Sequence, residues 1–389
     1  MWKKFIVLVG GFVSLMMSGS ALAAPTFNDC VSTGGGSYNN EFNSTAAQGG
    51  LCVWDSGSNT VTCDLDTVCT TTNVQDNVLV AVRNAVTGTD NDFAVGAWCN
   101  NTSGGGTSPT PDFCVVVTDT SLEVQRMRLF GTDQRDKLSF QMTTGERLED
   151  LSGGPKVFGE QRGQGDRDIL VGSGKNDINV YRDELYGEAG NDRIFGNAGQ
   201  DLIDGGADND FIDGGSHVDT ITAGAGDDVV GGAGSGDTIT GDDGHDDLCG
   251  EGLTSLPTGN LESLAWTAPG NDYDPKTWGV DCENSTATNI DVIYGGNGDD
   301  YLFGAGGNDQ LDGGSGTDML DGYNNDDILC DTAGGFDSLN GQEGADRLIA
   351  TGNGLNATLD GGNGTDSCTD EAGLSRPNCE NVDVDTCPF

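Results

Sequence analysis

Basic residues and histidine are both scarce in this chain. Its 389 residues contain 17 lysines and arginines against 63 aspartates and glutamates, and the formal net charge is -46. A polyanion of this size does not bind nucleic acid or an anionic membrane through electrostatic attraction. Because His217 and His245 are the only histidines, most catalytic triads that use a histidine base are also excluded.

Sequence motifs of common hydrolases are missing as well. The sequence has no GxSxG motif of lipases, no HExxH motif of zinc proteases and no CxxC pair for a structural zinc site. A glycosidase needs only two carboxylates, so a polysaccharide-active enzyme stays as an alternative. Its catalysis would have to lie in residues 24–125, a small segment for that chemistry. We assign no catalytic residue and no organic cofactor site.

Long apolar runs are confined to the start of the chain. Lys3 and Lys4 precede an apolar run over residues 5–17, and a small-residue motif ends at Ala23. This order is typical of a secretory signal peptide, which we predict at residues 1–23 with cleavage near Ala23. No other segment is long and apolar enough to span a membrane. We therefore expect a secreted protein, either extracellular or exported through the periplasm to the outer surface.

The chain has twelve cysteines, which in an exported protein indicate disulfides. Residues 24–125 combine six of them with short β-prone runs, and predict a disulfide-stapled β domain. This domain is either separate or the irregular first part of the region that follows. A Cys249–Cys282 bridge would close a later insertion. Residues 370–389, with Cys379 and Cys387, predict a disulfide-stapled C-terminal cap.

The most regular feature is a run of seven consecutive nonapeptides over residues 187–249. Their eighth residue is always aliphatic, and their sixth is always aspartate. The first six residues are rich in Gly, Asp and Asn and predict a turn. The last three predict a minimal strand whose middle side chain points inward while its neighbours face solvent. Two units then make one 18-residue coil, and successive coils stack around a thin core.

The remaining segments are defined by how they relate to this block. Residues 126–186 predict degenerate repeats at the entry to the stack, where Asp136, Asp168 and Asp177 have the local pattern but weaker or absent metal sites are expected. Residues 250–285 predict an insertion loop rich in aromatic residues and proline, either a spacer or a partner-binding loop. The nonapeptide pattern resumes in a second block over residues 286–369.

Aspartates two repeats apart are expected to form two columns along the stack. Carboxylates about 5 Å apart repel, so a cation is expected between them. Carboxylate oxygens and the carbonyls of a Gly-rich turn are hard ligands that suit Ca²⁺ better than Mg²⁺. The predicted ligands are Asp192, Asp201, Asp210, Asp219, Asp228, Asp237, Asp246, Asp300, Asp309, Asp318, Asp327, Asp337, Asp346 and Asp366, with the turn backbone of Gly187, Gly196, Gly205, Gly214, Gly224, Gly232, Gly241, Gly295, Gly304 and Gly313. We expect on the order of ten calcium ions.

These repeats resemble the G-G-x-G-x-D-x-U-x nonapeptide of the RTX, or hemolysin-type calcium-binding, proteins. The resemblance implies an all-β fold, a right-handed parallel β-roll with Ca²⁺ between successive turns. It also implies a calcium-binding extracellular protein that folds with calcium, here a non-catalytic structural or surface component. The alternative is an adhesin that binds a glycan or protein through its N-terminal domain or the loop at 250–285. RTX proteins commonly leave the cell in one step through a C-terminal signal, whereas the predicted N-terminal signal of this chain favours general export to the periplasm first, followed by release or surface display.

Overall fold

The computed structural model of the protein describes residues 52–55, 60–67, 69, 77–83, 93–98, 113–117, 126–131, 136–142, 156–172, 181–254, 281–282, 288–331, 333–351, 357–370, 377–381 and 387. Within these segments the secondary structure is β-strand apart from turns and one short 3₁₀ helix, Leu65–Thr67. The predicted signal peptide, with Ala23, lies outside the described residues. In the described part of the chain, no helix is long and apolar enough to cross a membrane.

Short strands follow one another along the whole described chain. The first are β1 (Cys52–Asp55), β2 (Thr60–Asp64), β3 (Asn77–Arg83), β4 (Phe93–Trp98), β5 (Phe113–Val117), β6 (Arg126–Phe130), β7 (Asp136–Met142), β8 (Lys156–Gln164) and β9 (Ile169–Val171). They continue with β10 (Tyr181–Ala189), β11 (Arg193–Phe195), β12 (Leu202–Ala207), β13 (Phe211–Ser216), β14 (Thr220–Ala225), β15 (Val229–Gly234), β16 (Thr238–Asp243), β17 (Asp247–Cys249), β18 (Leu253–Thr254) and β19 (Asp281–Cys282). The last are β20 (Val292–Asn297), β21 (Tyr301–Phe303), β22 (Gln310–Gly316), β23 (Met319–Asn324), β24 (Ile328–Asp331), β25 (Ala333–Gly334), β26 (Ser338–Gly344), β27 (Arg347–Ala350), β28 (Thr358–Asp360), β29 (Asn363–Gly364), β30 (Asp366–Asp370) and β31 (Cys379–Asn381).

Successive strands alternate between two long sheets. The first sheet runs in the order β1-β2-β6-β8-β10-β12-β14-β16-β20-β22-β24-β27-β30-β31, with β25 also paired to β22. The second runs β28-β26-β23-β21-β17-β15-β13-β11-β9-β7-β3-β4-β5, with β29 paired to β26. From β6 and β7 onward the pairings within these two sheets are parallel. This alternation is a parallel β-roll, which confirms the predicted fold class.

The register of the sheets gives the two-repeat coil directly. In the first sheet Ile203 pairs with Ile221, and Ile221 pairs with Ile239. In the second sheet Ile212 pairs with Val230. Because the partners of each pair are two nonapeptides apart, the eighth residue of every second nonapeptide lies directly above its counterpart. These aliphatic side chains form one continuous buried core from Leu170 to Leu359 between the two sheets.

The insertion after the first block leaves this register intact. Ile239 pairs with Ile293, and the two are separated along the chain by three times the length of one coil. The short strands β18 and β19 pair at the base of the insertion, and a disulfide joins Cys249 to Cys282. This is the disulfide proposed from the sequence. The aromatic residues Trp266, Tyr273 and Trp278 lie outside the described residues.

The outer face of the second sheet is partly buried, contrary to the expectation that residues flanking each aliphatic position face solvent. Phe195, Phe211 and Val229 pack with Ile169 and Val171 into a second apolar cluster, and the partly buried Leu253 contacts it. Phe211 is fully buried. The expectation was wrong here because the local strand pattern shows which face a side chain is on. It does not show whether another segment covers that face.

Both ends of the roll carry disulfides. Cys52 is bonded to Cys63 near the N-terminal end, and the C-terminal end has the pairs Cys330–Cys387 and Cys368–Cys379. No cysteine in the described part of the chain is free. At the N-terminal end β2 pairs in parallel with β6, and β3 with β7. The strands of the predicted N-terminal domain therefore belong to the same two sheets as the repeats, while the predicted domain boundaries stay predictions.

Candidate metal centre

The sixth-position aspartates lie in two columns, one along each edge of the roll, and all of them are buried. One column contains Asp168, Asp192, Asp210, Asp228, Asp246, Asp300, Asp318 and Asp337. The other contains Asp183, Asp201, Asp219, Asp237, Asp291, Asp309, Asp327, Asp346 and Asp366. All fourteen aspartates predicted from the sequence are in these columns.

Each column is held together by one repeated hydrogen bond. The backbone N–H of Asp201 donates to Oδ1 of Asp219 at 2.7 Å, and the N–H of Asp219 donates to Oδ1 of Asp237 at 2.8 Å. The same bond crosses the insertion, since the N–H of Asp237 donates to Oδ1 of Asp291 at 2.6 Å. One carboxylate oxygen of each of these aspartates is thus used to join neighbouring coils.

The second carboxylate oxygen is the unusual atom of the site. In eleven of the aspartates Oδ2 is buried and accepts no hydrogen bond: Asp192, Asp201, Asp210, Asp219, Asp237, Asp291, Asp309, Asp318, Asp327, Asp337 and Asp346. Burying a polar oxygen without a partner opposes folding by about 1–3 kcal/mol, and more when the group is charged. A regular series of such atoms therefore points to a ligand that they share.

The first glycine of each nonapeptide makes room for this oxygen. A Cβ atom placed on Gly214 would lie 2.8 Å from Oδ2 of Asp219 and 2.8 Å from the carbonyl oxygen of Gly232. A carboxylate oxygen and a backbone carbonyl oxygen therefore converge where only a glycine hydrogen is tolerated. The other predicted glycines that stand in the same relation to their aspartates are Gly187, Gly196, Gly205, Gly232, Gly241, Gly295, Gly304 and Gly313.

Gly224 has a different place in its turn. It is the second residue of its unit, with φ of 117°. A Cβ atom on it would collide with the carbonyl oxygen of Gly206 in the preceding coil. Its unit begins with Ala223, whose side chain joins the apolar core.

Burial controls the electrostatics of both columns. Desolvation raises the pKa of Asp219 to about 10, with a further contribution from the carboxylates of Asp201 and Asp237. Desolvation, followed by the charge of Asp192, raises the pKa of Asp210 to about 10. The same burial raises the pKa of Asp327 to about 9. Without a cation, these carboxylates are therefore strongly driven to hold a proton.

The columns contain aspartates that the sequence interpretation missed or undervalued. Asp291 has the pattern of the repeat, since it precedes Asp300 by one repeat length and is followed two positions later by the core residue Ile293. Asp183 precedes Asp201 by two repeat lengths and is followed two positions later by Leu185. These spacings are the sequence signal by which both aspartates could have been predicted.

The entry segment over residues 126–186 was predicted to contain degenerate repeats, and one of its aspartates is more regular than expected. Asp168 is in full register with the first column, because its N–H donates to Oδ1 of Asp192 at 2.6 Å. Asp136 is the first residue of β7. Asp177, which was considered as the next member of the pattern, lies outside the described residues.

The donor set and the fold together define a calcium-binding β-roll. Buried carboxylate oxygens and turn carbonyls are hard oxygen ligands of the kind that Ca²⁺ takes in proteins. The family model of the RTX calcium-binding nonapeptide repeat (4 copies) matches this chain at residues 179–212, 196–230, 213–248, 287–320, 294–329 and 331–353. Both repeat blocks are therefore made of RTX calcium-binding repeats. No curated protein matches the chain.

Proposed function

We propose that this chain is a secreted, non-catalytic structural or surface protein whose roll folds at neutral pH only when calcium occupies the aspartate columns. The observation that carries the proposal is the series of eleven buried Oδ2 atoms without a hydrogen-bond donor. Metal binding in such a protein is coupled to folding, since the ligands come together only in the stacked coils. The roll is then a rigid, calcium-dependent element outside the cell.

The calcium ligands in this proposal are the aspartates of the two columns, with backbone oxygens of the turns. They include the fourteen predicted residues and add Asp168, Asp183 and Asp291, which the structure places in the same register. On the order of ten ions would cancel roughly twenty negative charges. The expected affinity is that of extracellular modules, about 10⁻⁴ to 10⁻³ M per site, and tighter where neighbouring sites fill cooperatively.

Support for secretion and for a non-catalytic role comes from different features. The described cysteines are joined in disulfides, which persist in oxidising compartments such as the extracellular space. Most of the buried carboxylates among the described residues lie in the two columns, where they join neighbouring coils, and this favours a structural role.

Calcium removal tests the proposal. Mature protein with its disulfides intact is dialysed against EGTA at pH 7.5, and far-UV circular dichroism and hydrodynamic radius are measured before and after calcium is restored. We expect loss of β structure and expansion in EGTA, full recovery in calcium, and much weaker recovery in magnesium at the same concentration. Native mass spectrometry of the recovered protein should show about ten bound ions.

The control is the same protein in EGTA with excess magnesium or sodium, which separates specific ligation from charge screening. Recovery in sodium alone would mean that screening of the net charge suffices. A roll that stays compact in EGTA at pH 7.5 would show that calcium is not needed for folding. Either result would overturn the proposal.

A further inference from the structure

One unit of the second block is one residue longer than a nonapeptide, and its first residue is an aspartate. Residues 331–340 begin with Asp331, which follows Gly313 by two repeat lengths. The preceding residues of the two units, Asp312 and Cys330, pair across the first sheet. Asp331 therefore takes the place that glycine holds at the start of most other units, beside the buried carboxylate of the column.

The additional residue lies in the turn just before the column aspartate. Gly334 still pairs with Gly316, two repeat lengths earlier. Ser338, however, pairs with Met319, which is one residue further away than two repeat lengths. The extra residue thus falls after Gly334, in the turn that leads to Asp337. This insertion adds one residue between the first position of the unit and its column aspartate, so a side chain is accepted where a Cβ atom would otherwise collide.

The result is a cluster of three carboxylates. In the described part of the chain, the regular rungs, each formed by two neighbouring aspartates of a column, lack such a cluster. One carboxylate oxygen from each of Asp318, Asp331 and Asp337 lies within 4.8 Å of the others. All three residues are buried, with exposures of 2%, 0% and 1%. Oδ2 of Asp318 and Oδ2 of Asp337 accept no hydrogen bond. Oδ1 of Asp331 accepts the N–H of Ala333 at 3.3 Å.

We propose that Asp318, Asp331 and Asp337 form a three-carboxylate calcium site that holds its ion more tightly than the regular rungs of either column. This inference rests on the proposed function, because it takes the other rungs to be calcium sites. A regular rung offers two column aspartates to an ion, whereas this one offers three. The affinity of calcium sites rises with the number of charged ligands and with the rigidity of the site.

The chemistry of the cluster also selects the ion. Three carboxylates supply hard oxygen ligands, so a soft-ligand metal such as zinc with cysteine or histidine donors is not favoured. Mg²⁺ keeps several of its own waters when it binds, and a cluster buried to this extent does not favour a hydrated ion. Ca²⁺ loses its waters more readily and tolerates irregular coordination. It therefore suits three carboxylates that come from different positions of the repeat.

The test compares the full chain with two single variants. Asp331→Asn removes the third charge with little change of shape. Asp326→Asn is the matched control, since Asp326 is an exposed acid next to Asp327 of the other column and its Oδ1 accepts the N–H of Ala345 at 2.8 Å, a bond that asparagine can keep. Each protein is dialysed against a large volume of calcium-depleted buffer to which calcium is added to give a range of known free concentrations. Bound calcium per chain is measured by inductively coupled plasma mass spectrometry, and folding by circular dichroism.

We expect the unmodified chain to retain one ion at free calcium about tenfold below the midpoint of the others. Asp331→Asn should lose this ion together with the rest, and Asp326→Asn should keep it. If the unmodified chain loses all of its ions in a single step, or if Asp331→Asn keeps the tight ion, the inference is wrong while the proposed function stands. A chain that binds no calcium at all would overturn both.

Discussion

Replacing Asp219 by asparagine should stabilise the metal-free roll and weaken the calcium-bound one. Asp219 has column neighbours on both sides and is fully buried, with Oδ1 bonded to the N–H of Asp201 and Oδ2 without a donor. Asparagine can keep the first interaction through its own Oδ1. It replaces the second oxygen by an NH₂ group, which is not a calcium ligand. The substitution therefore has opposite effects in the two states.

The size of the effect in the metal-free state follows from the pKa of Asp219. Burial raises this pKa from 3.8 to about 10. Because the folded pKa is the higher one, the stabilising contribution of the protonated group is complete below pH 3.8 and declines as the pH rises towards 10. At pH 7 this one carboxyl group lowers the free energy of unfolding of the metal-free roll by roughly 4 kcal/mol relative to its value at acid pH. Asparagine removes this contribution but buries an NH₂ group without an acceptor, which opposes folding by about 1–3 kcal/mol.

The assay is a pH titration of far-UV circular dichroism in EGTA, together with a calcium titration at pH 7.5. In EGTA, the pH at which β structure is lost should be higher for Asp219→Asn than for the unmodified chain. In calcium, the midpoint should rise about tenfold, equivalent to about 1.4 kcal/mol of lost ligation. The control is Asp242→Asn, at an exposed acid outside the columns. Weakening in both states would refute the reasoning, because it would mean that the Asp219 carboxylate stabilises the fold without a cation.

Three further predictions test other parts of the structure. In EGTA the unmodified chain should be folded at about pH 4 and lose β signal as the pH rises through 6 to 8, because burial raises the pKa of Asp346 to about 6 and of Asp237 to about 8; a pH-independent signal would contradict this. Gly214→Ala should destabilise the calcium-bound roll by about 1–3 kcal/mol in thermal unfolding, since the added Cβ would crowd the Asp219 carboxylate, whereas the roomier Gly234→Ala should change little; equal effects would remove steric crowding as the cause. Replacing both Cys249 and Cys282 by serine should lower stability by about 3–4 kcal/mol, the entropic value for a loop of this length, and leave the calcium count unchanged; loss of ions would show that the bridge is needed to align the blocks.

The sequence was sufficient to predict the coils of the repeat region because the signals for them are local. The nine-residue period placed Asp192 and Asp210 one coil apart, and the structure joins them through an N–H to Oδ1 bond. The aliphatic eighth position likewise predicted Ile194 and Ile212 as core residues, and both are fully buried. Asp291 has the same local signal, but its unit, residues 286–294, contains no glycine, and so Asp291 was overlooked.

Other parts of the site depend on contacts that a repeat pattern does not contain. Phe195 and Phe211 were expected to face solvent because only their strand face was known. Asp331 occupies a position where the pattern calls for glycine, and the extra residue lies in the turn between Asp331 and Asp337. Local spacing does not report how such an insertion is absorbed.

The amino-acid sequence by itself determined the coil, its apolar interior and the charged columns, because in a solenoid each residue's place is set by its position within a short repeat. The tertiary structure alone decided how distant segments meet. It brought Asp237 beside Asp291 across the insertion, covered one face of a sheet, and gathered three carboxylates at a single rung. Those outcomes depend on which backbones lie side by side after the chain has left the repeat and returned, and that is settled only by packing.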